Sequence, residues 1–211
     1  MNRTETAAKT MKDLYGEVHT GLSVSDPEFA AIKARLIYGE VYAEETLPAK
    51  LCELVILVVA AANQTMNEVQ RHTAAALAAG GKPEEIHEAV YHCAPYIGLG
   101  KAENAVNAVN EVFAEKGVAL PLASGRTVTE ERRLADGIAA QKSIFGAHID
   151  AMRAAAPGGC EPQVKAHVGG NAAVGNGKET LLAALTVCLP YIGFPRTLNA
   201  LACINEVLPE N

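Results

Sequence analysis

One hexapeptide occurs twice in this chain, first as Cys93-Ala94-Pro95-Tyr96-Ile97-Gly98 and again as Cys188-Leu189-Pro190-Tyr191-Ile192-Gly193. Residues 92–113 and 187–208 align around it without a gap at an offset of 95, and 10 of the 22 positions are identical. Identity at a fixed offset is the signature of an internal repeat. The sequence therefore predicts two related units, a complete repeat over residues 1–120 and a truncated one over residues 125–211.

The composition favours helices over strands. Of the 211 residues, 49% are hydrophobic and only 5% are aromatic. Ala, Leu, Val and Glu recur in long runs that lack the alternation typical of strands. We expect an all-α protein in which two helical repeats pack together. The net charge of -6, without a dense Lys/Arg block, argues against nucleic acid as a partner and favours a small molecule or another protein chain.

The first residues, the apolar segments and the cysteines indicate where in the cell the protein is located. Residues 1–5 contain no apolar signal core, and the longest apolar run, Leu54 to Ala62, is too short to span a bilayer. The five cysteines form an odd set without a CxxC pair, which suits free thiols in a reducing compartment. We therefore expect a cytoplasmic protein that makes no membrane contact.

Apolar periodicity predicts the helices of the first repeat. The first covers residues 4–22, and the second opens at Asp26-Pro27 with apolar positions that include Phe29 and Ile32. The third begins near residue 46 and is apolar nearly all round, so it should be central to the core. Further helices are expected over residues 65–79, 82–93 and 101–115. Each Pro-Tyr-Ile-Gly should end one helix and start the next, and residues 117–129 are typical of a linker.

A weaker similarity joins residues 11–16 to residues 141–146, at an offset of 130. If both offsets hold, 35 residues of the first repeat, its second and third helices, have no counterpart in the second. The shortened repeat would then expose faces that the first repeat covers. We therefore expect a symmetric homo-oligomer, a dimer or a trimer, which light scattering at micromolar concentration tests.

Acidic residues and histidines surround the start of the fourth helix. Glu68 and His72 lie four residues apart on one face, and Glu53 is within reach if the third and fourth helices pack antiparallel. A carboxylate and an imidazole are the usual proton donor and acceptor near neutral pH. The competing interpretation is structural, with Glu68 closing a capping box at Thr65 and His72 as a satisfied core histidine.

The second repeat carries a related but altered set. At the offset of 95, His72 aligns with His167, Glu68 with Gln163 and Thr65 with Cys160. Cys160 would cap a helix, where the exposed N–H groups and the helix dipole favour a thiolate, and His167 follows two turns later. Either a reactive thiol or a simple cap fits this position. The histidine spacings predict no metal site.

These segments resemble the carboxymuconolactone decarboxylase family, which shares its fold with the alkylhydroperoxidase D proteins. The resemblance covers nearly the whole chain and implies an all-α, alkylhydroperoxidase D-like fold built as a tandem pair with a truncated second copy. It is carried in the first repeat by Leu51-Cys52-Glu53-Leu54-Val55-Ile56-Leu57, Glu68-Val69-Gln70-Arg71-His72, Pro83-Glu84-Glu85-Ile86 and Ala94-Pro95-Tyr96-Ile97-Gly98. In the second repeat it is carried by residues 160–167 and 190–201.

The peroxidase branch of that family uses Glu, then Cys-x-x-Cys, then His. The matching residues in the first repeat are Glu53, Thr65, Glu68 and His72, so both cysteines are missing. The second repeat keeps only Cys160, because Gln163 replaces the second cysteine. A thiol peroxidase that uses Cys160 with His167 is therefore the alternative function.

The decarboxylase branch fits the first repeat better. The resemblance implies cofactor-independent loss of carbon dioxide from 4-carboxymuconolactone or a related small acid, with His72 as proton donor assisted by Glu53 or Glu68. Arg71 or Arg196 would hold a carboxylate. The other residues expected to contact the substrate are Tyr96, Gln163 and Tyr191. A third possibility is a non-catalytic oligomeric interaction protein whose sites have decayed.

Overall fold

The computed structural model describes residues 1–16, 22–44, 46–146 and 160–209. All regular structure within these ranges is helical, so the predicted all-α class is confirmed. The chain divides into two compact units. The first is Met1–Ala123 with Thr186–Gly193, and the second is Ser124–Leu185 with Phe194–Asn211.

The first unit carries the helices of the first repeat. They are α1 (Arg3–Tyr15), α2 (Leu22–Ser25), α3 (Pro27–Leu36), α4 (Ala49–Asn63), α5 (Met66–Ala78), α6 (Pro83–Tyr91), α7 (Ala94–Ile97) and α8 (Leu99–Glu115). A π-helical turn, Ile37–Val41, and a 3₁₀ turn, Tyr42–Glu44, continue α3 toward α4. In the second repeat follow α9 (Arg133–Phe145), α10 (Glu161–Ala173) and α11 (Lys178–Val207).

The duplication extends to helix boundaries. α9 repeats the bounds of α1 at an offset of 130, and α10 repeats those of α5 at an offset of 95. α11 begins 95 residues after α6, and its one non-helical residue, Gly193, matches Gly98. Both glycines adopt positive φ, 75° and 89°, a conformation that costs other residues more. Each Pro-Tyr-Ile-Gly therefore separates two helical segments, as predicted.

Two expectations about the first helices need correction. α1 ends at Tyr15, because Gly16 adopts a left-handed conformation and closes the helix, and residues 17–21 lie outside the described ranges. α3 begins at Pro27 as predicted, but Phe29 and Ile32 are 60% and 54% exposed, so this face is not in the core. The predicted loss of two helices from the second repeat concerns residues 147–159, which the structure does not describe.

α4 is central to the core of the first unit, as its apolar sequence predicts. Ile56 and Leu57 are fully buried, and a cluster that includes Val69, Ile86 and Phe113 joins α4, α5, α6 and α8. The start of α1 meets the π-helical turn closely, since a Cβ on Gly39 would lie 2.1 Å from the Arg3 carbonyl oxygen. Glycine at position 39 thus lets α1 pack against the π-helical turn.

Among the described helices, one is long and apolar enough to cross a membrane by length and composition, Lys178–Val207. This is weak evidence, since core helices of soluble proteins pass the same test. The break at Gly193 leaves two segments, each shorter than the roughly 20 residues that a spanning helix needs. The cytoplasmic location stays a prediction.

Candidate active site

A buried carboxylate in the middle of α4 anchors the site. Glu53 is fully buried on a helix whose neighbouring side chains are apolar. The Tyr42 hydroxyl donates a hydrogen bond to Glu53 Oε1, and Glu53 Oε2 lies 2.6 Å from His72 Nδ1. Both oxygens thus face hydrogen-bond donors, which offsets the desolvation of a buried acid.

His72 lies next to Glu53, on α5, and is also fully buried. Its Nδ1 faces Glu53, while its Nε2 lies 3.3 Å from Glu68 Oε2 and 3.3 Å from the Tyr191 hydroxyl. Burial lowers the pKa of His72, but hydrogen bonds and charges from Glu53 and Glu68 outweigh burial and raise the pKa above its ordinary 6.5. The two carboxylates therefore favour the charged form of the ring.

Glu68 sits one turn before His72, and its carboxylate connects the buried pair to the surface. The prediction that it closes a capping box is wrong, because Thr65 makes no side-chain cap and Glu68 Oε1 instead accepts a 2.6 Å hydrogen bond from Lys33 Nζ. The hydrogen bond from His72, together with Lys33, lowers the pKa of Glu68 to about 2, against the opposing effect of burial. Glu68 is thus anionic at neutral pH.

Tyrosines that are buried or half-buried enclose this line of charges. Tyr15 and Tyr38 share a hydrogen bond of 3.0 Å, and the Tyr38 ring packs on that of Tyr42. Burial raises the pKa of Tyr38 to about 12 and raises the pKa values of Tyr15, Tyr42 and Tyr191 further. These phenols therefore stay neutral and can donate hydrogen bonds to the site.

A cavity of about 530 Å³ adjoins Glu68. Its wall includes Lys33, Arg71 and Tyr38, but the fully buried His72 and Glu53 do not line it. Arg71 also stacks its guanidinium over the Tyr15 ring, 5.1 Å from the centroid. Glu68 is therefore the group through which the His72–Glu53 pair can reach a molecule in the cavity.

The Tyr191 ring comes from the second repeat but belongs to the first unit. It packs edge-on against His72, with 5.7 Å between ring centroids, and its carbonyl oxygen accepts a 3.1 Å hydrogen bond from Asn63 Nδ2. The equivalent tyrosine of the first repeat, Tyr96, is 66% exposed and does not line the cavity. The two predicted substrate-contacting tyrosines thus differ in position.

The remaining predicted site residues lie in the second unit. Cys160 is exposed at the N-cap position of α10, as predicted, but its thiol makes no capping hydrogen bond. His167 is exposed and packs edge-on against Phe145, and Gln163 Oε1 is buried without a hydrogen-bond partner among the described residues. Arg196 is exposed on α11. The structure brings Glu53, Glu68, His72, Arg71 and Tyr191 together in the first unit.

Other thiols lie in apolar surroundings. Burial raises the pKa of Cys52 and of Cys188 to about 11, and also raises the pKa of Cys93. These thiols are protonated at neutral pH and are poor nucleophiles. Within the described ranges, no three His, Cys, Asp or Glu side chains are grouped so that they could hold a metal ion. A thiol mechanism would rest on Cys160.

Sequence reasoning missed Lys33 and Tyr42. Lys33 lies on α3, four residues after Phe29, and only the apolar residues of that helix carried a sequence prediction. Tyr42 lies in a 3₁₀ turn that has no periodicity to indicate which side chains point inward. A basic residue within a mostly apolar helix was the one available signal, and it has no specificity for a site.

Comparisons with known proteins identify sequences similar to this chain. The model of the carboxymuconolactone decarboxylase family matches residues 27–111 and 148–206. The two matched segments end 95 residues apart, as the repeat requires. The chain is also similar to the 4-carboxymuconolactone decarboxylase of Acinetobacter baylyi, with 29% identity over 112 residues, 51% of this chain and 84% of that protein.

Proposed function

Because the chain belongs to the carboxymuconolactone decarboxylase family, we propose that it is a cofactor-independent carboxy-lyase acting on a small carboxylated lactone or a related acid. The observation that supports this best is the line of alternating charges from Lys33 through Glu68 and His72 to Glu53. It holds a proton in the protein interior and has one end at a cavity that a small acid can enter.

The reaction consumes one proton for each molecule of carbon dioxide. The C–C bond to the departing carboxylate breaks, and its electron pair moves into the conjugated system of the substrate, toward the lactone carbonyl. A proton must then reach the carbon that has lost carbon dioxide. The substrate itself delocalises the charge, so the step needs no cofactor.

Glu68 would deliver that proton. His72 holds the proton on Nε2 but is fully buried, whereas Glu68 Oε2 lies 3.3 Å from Nε2 and its side chain is 25% exposed. Transfer from Nε2 to the buried Oε2, followed by rotation of the Glu68 carboxyl group toward the cavity and transfer to the substrate carbon, leaves neutral His72 still bonded through Nδ1 to Glu53. Glu53 positions the ring and stabilises its charged form.

Arg71 would hold a substrate carboxylate. Its guanidinium lines the same cavity one residue before His72 on α5, and its planar fork matches a carboxylate in two parallel hydrogen bonds. A carboxylate fixed there would orient the scissile bond relative to Glu68.

The test is the ultraviolet loss of 4-carboxymuconolactone with purified protein and two histidine variants. His72→Asn should lower kcat by at least about 100-fold, as expected for a positioned acid. His87→Asn is the matched control, because His87 is also buried but bonds to Asn110 on α8. If the unmutated protein does not turn over 4-carboxymuconolactone, this compound is not its substrate. If the His72→Asn variant is as active as the unmutated protein, His72 is not the source of the proton.

A further inference from the structure

The cavity beside Glu68 is larger and more apolar than a compact lactone acid requires. Its volume is about 530 Å³, within the range of sites that bury drug-sized ligands. Glu68 lies at its wall with Lys33, and these two charges neutralise each other in a 2.6 Å ion pair. The chemistry of the ligand must therefore be inferred from the rest of the wall.

Two arginines supply the unbalanced charge of that wall. Arg35 on α3 and Arg71 on α5 both line the cavity, and both are half-buried. Within the described part of the chain, neither guanidinium forms an ion pair with a carboxylate. Arg71 stacks on the Tyr15 ring, but this contact does not neutralise its charge, so the cavity favours an anionic group.

Small apolar side chains create the space itself. α1 and α3 pack beside each other, and the surfaces that they turn to the cavity carry methyl groups rather than large side chains. The alanines that line it are Ala7 and Ala8 on α1 and Ala30, Ala31 and Ala34 on α3. Met11 and Leu22 extend this apolar wall. An alanine-lined space between two helices loses packing energy unless a ligand fills it.

We propose that this cavity binds an amphipathic carboxylic acid, with its carboxylate at Arg71 and Arg35 and an extended apolar body against the alanines of α1 and α3. This inference rests on the proposed function, because it takes the same cavity as the substrate site and names the class of ligand that binds there. A compact polyanion would leave the apolar wall uncovered, whereas a chain of several methylenes would remove it from water.

Isothermal titration calorimetry of the full chain with butanoate, hexanoate, octanoate and glutarate tests the proposal. Each methylene buried should tighten binding by up to about fourfold. Octanoate should therefore bind at least about tenfold tighter than butanoate, and tighter than glutarate. Equal affinity along the series, or tightest binding of glutarate, would overturn the proposal.

Two alanine variants locate the binding. Ala31→Leu places a larger side chain in the cavity and should weaken octanoate binding about tenfold while butanoate binding stays as it was. Ala114→Leu, an exposed position on α8, should leave both unchanged. If Ala31→Leu binds octanoate as the unmutated protein does, the apolar body does not lie there and the proposal fails.

Binding is measured without turnover, so the two proposals fail separately. Octanoate has no conjugated group to receive electrons and cannot be decarboxylated by this mechanism. Octanoate binding with no activity on any carboxylated lactone would contradict the carboxy-lyase and leave the ligand class standing. Activity on 4-carboxymuconolactone, together with equal affinity for butanoate, hexanoate and octanoate, would support the carboxy-lyase and contradict the proposed ligand class.

Discussion

Lys33, Glu68, His72 and Glu53 alternate in charge along one line. Each ion faces an opposite charge at 2.6–3.3 Å, and burial at the Glu53 end is complete. Burying one of these charges alone would be unfavourable by several kcal/mol, so removing any one of them leaves a neighbour uncompensated. The arrangement therefore fixes the protonation states of its members more tightly than any single pair would.

Lys33→Met tests this coupling at its exposed end. Lys33 stabilises the Glu68 carboxylate, so its removal should raise the pKa of Glu68 from about 2 by roughly one unit or more. Carbon-13 NMR of the Glu68 carboxyl group against pH measures the change. Lys9→Met removes an exposed lysine that pairs with Asp13 and is the control. An unchanged Glu68 titration in Lys33→Met would contradict the coupling.

The stability consequence has a defined sign. The pKa of Glu68 is depressed on folding, so its contribution to stability is present above the ordinary value of 4.5 and is lost as the pH falls toward 2. In Lys33→Met the contribution of Glu68 should be smaller, and its loss should be complete at a higher pH than in the unmutated protein. Acid unfolding followed by circular dichroism should therefore have its midpoint at a higher pH in Lys33→Met than in the unmutated protein.

The acidic and imidazole members of the site could be predicted from spacing. Glu68 and His72 share a helix face, and antiparallel packing of α4 on α5 brings in Glu53. Lys33 and Tyr42 could not be predicted, because tertiary packing alone brings Lys33 to Glu68 on α5 and Tyr42 to Glu53 on α4. The capping box at Thr65 was a plausible local structure that a stronger tertiary partner, Lys33, displaced.

Among the elements, the two Pro-Tyr-Ile-Gly turns have the same backbone break and different roles. The turn in α11 places Tyr191 against His72, and the turn before α8 leaves Tyr96 in solvent. Sequence identity predicted the shared break at Gly98 and Gly193, since positive φ is a local requirement. It could not predict which tyrosine would be buried, because that depends on which helices surround each turn.

Tyr191→Phe and Tyr96→Phe form a matched pair. When His72 gives up its proton, the Tyr191 hydroxyl can donate to the free Nε2, so its loss should lower kcat for decarboxylation by about three- to tenfold with little change in KM. Tyr96→Phe should behave as the unmutated protein. Equal kinetics for both variants would show that the Tyr191 hydroxyl only packs against the ring.

At the scale of the molecule, the repeat and the family were predictable and the sites were not fully so. Matching helix bounds, α1 with α9 and α5 with α10, follow from patterns that local sequence sets. Local sequence does not predict that Thr186–Gly193 belongs to the first unit. A repeat boundary drawn from sequence identity carries no information about where a segment packs. A symmetric homo-oligomer stays a proposal, supported by the exposed apolar residues Phe29, Leu99 and Phe194.

The charge on His72 decides whether the first unit can act as an acid. Nitrogen-15 NMR of the ring across pH 5–9 reports the protonation of Nδ1 and Nε2 separately. Because Glu53 and Glu68 raise the pKa of His72 above 6.5, both nitrogens should be protonated at pH 7, and the charge should be lost at higher pH. A ring that is neutral at pH 7, with one protonated nitrogen, would contradict the proposed proton store.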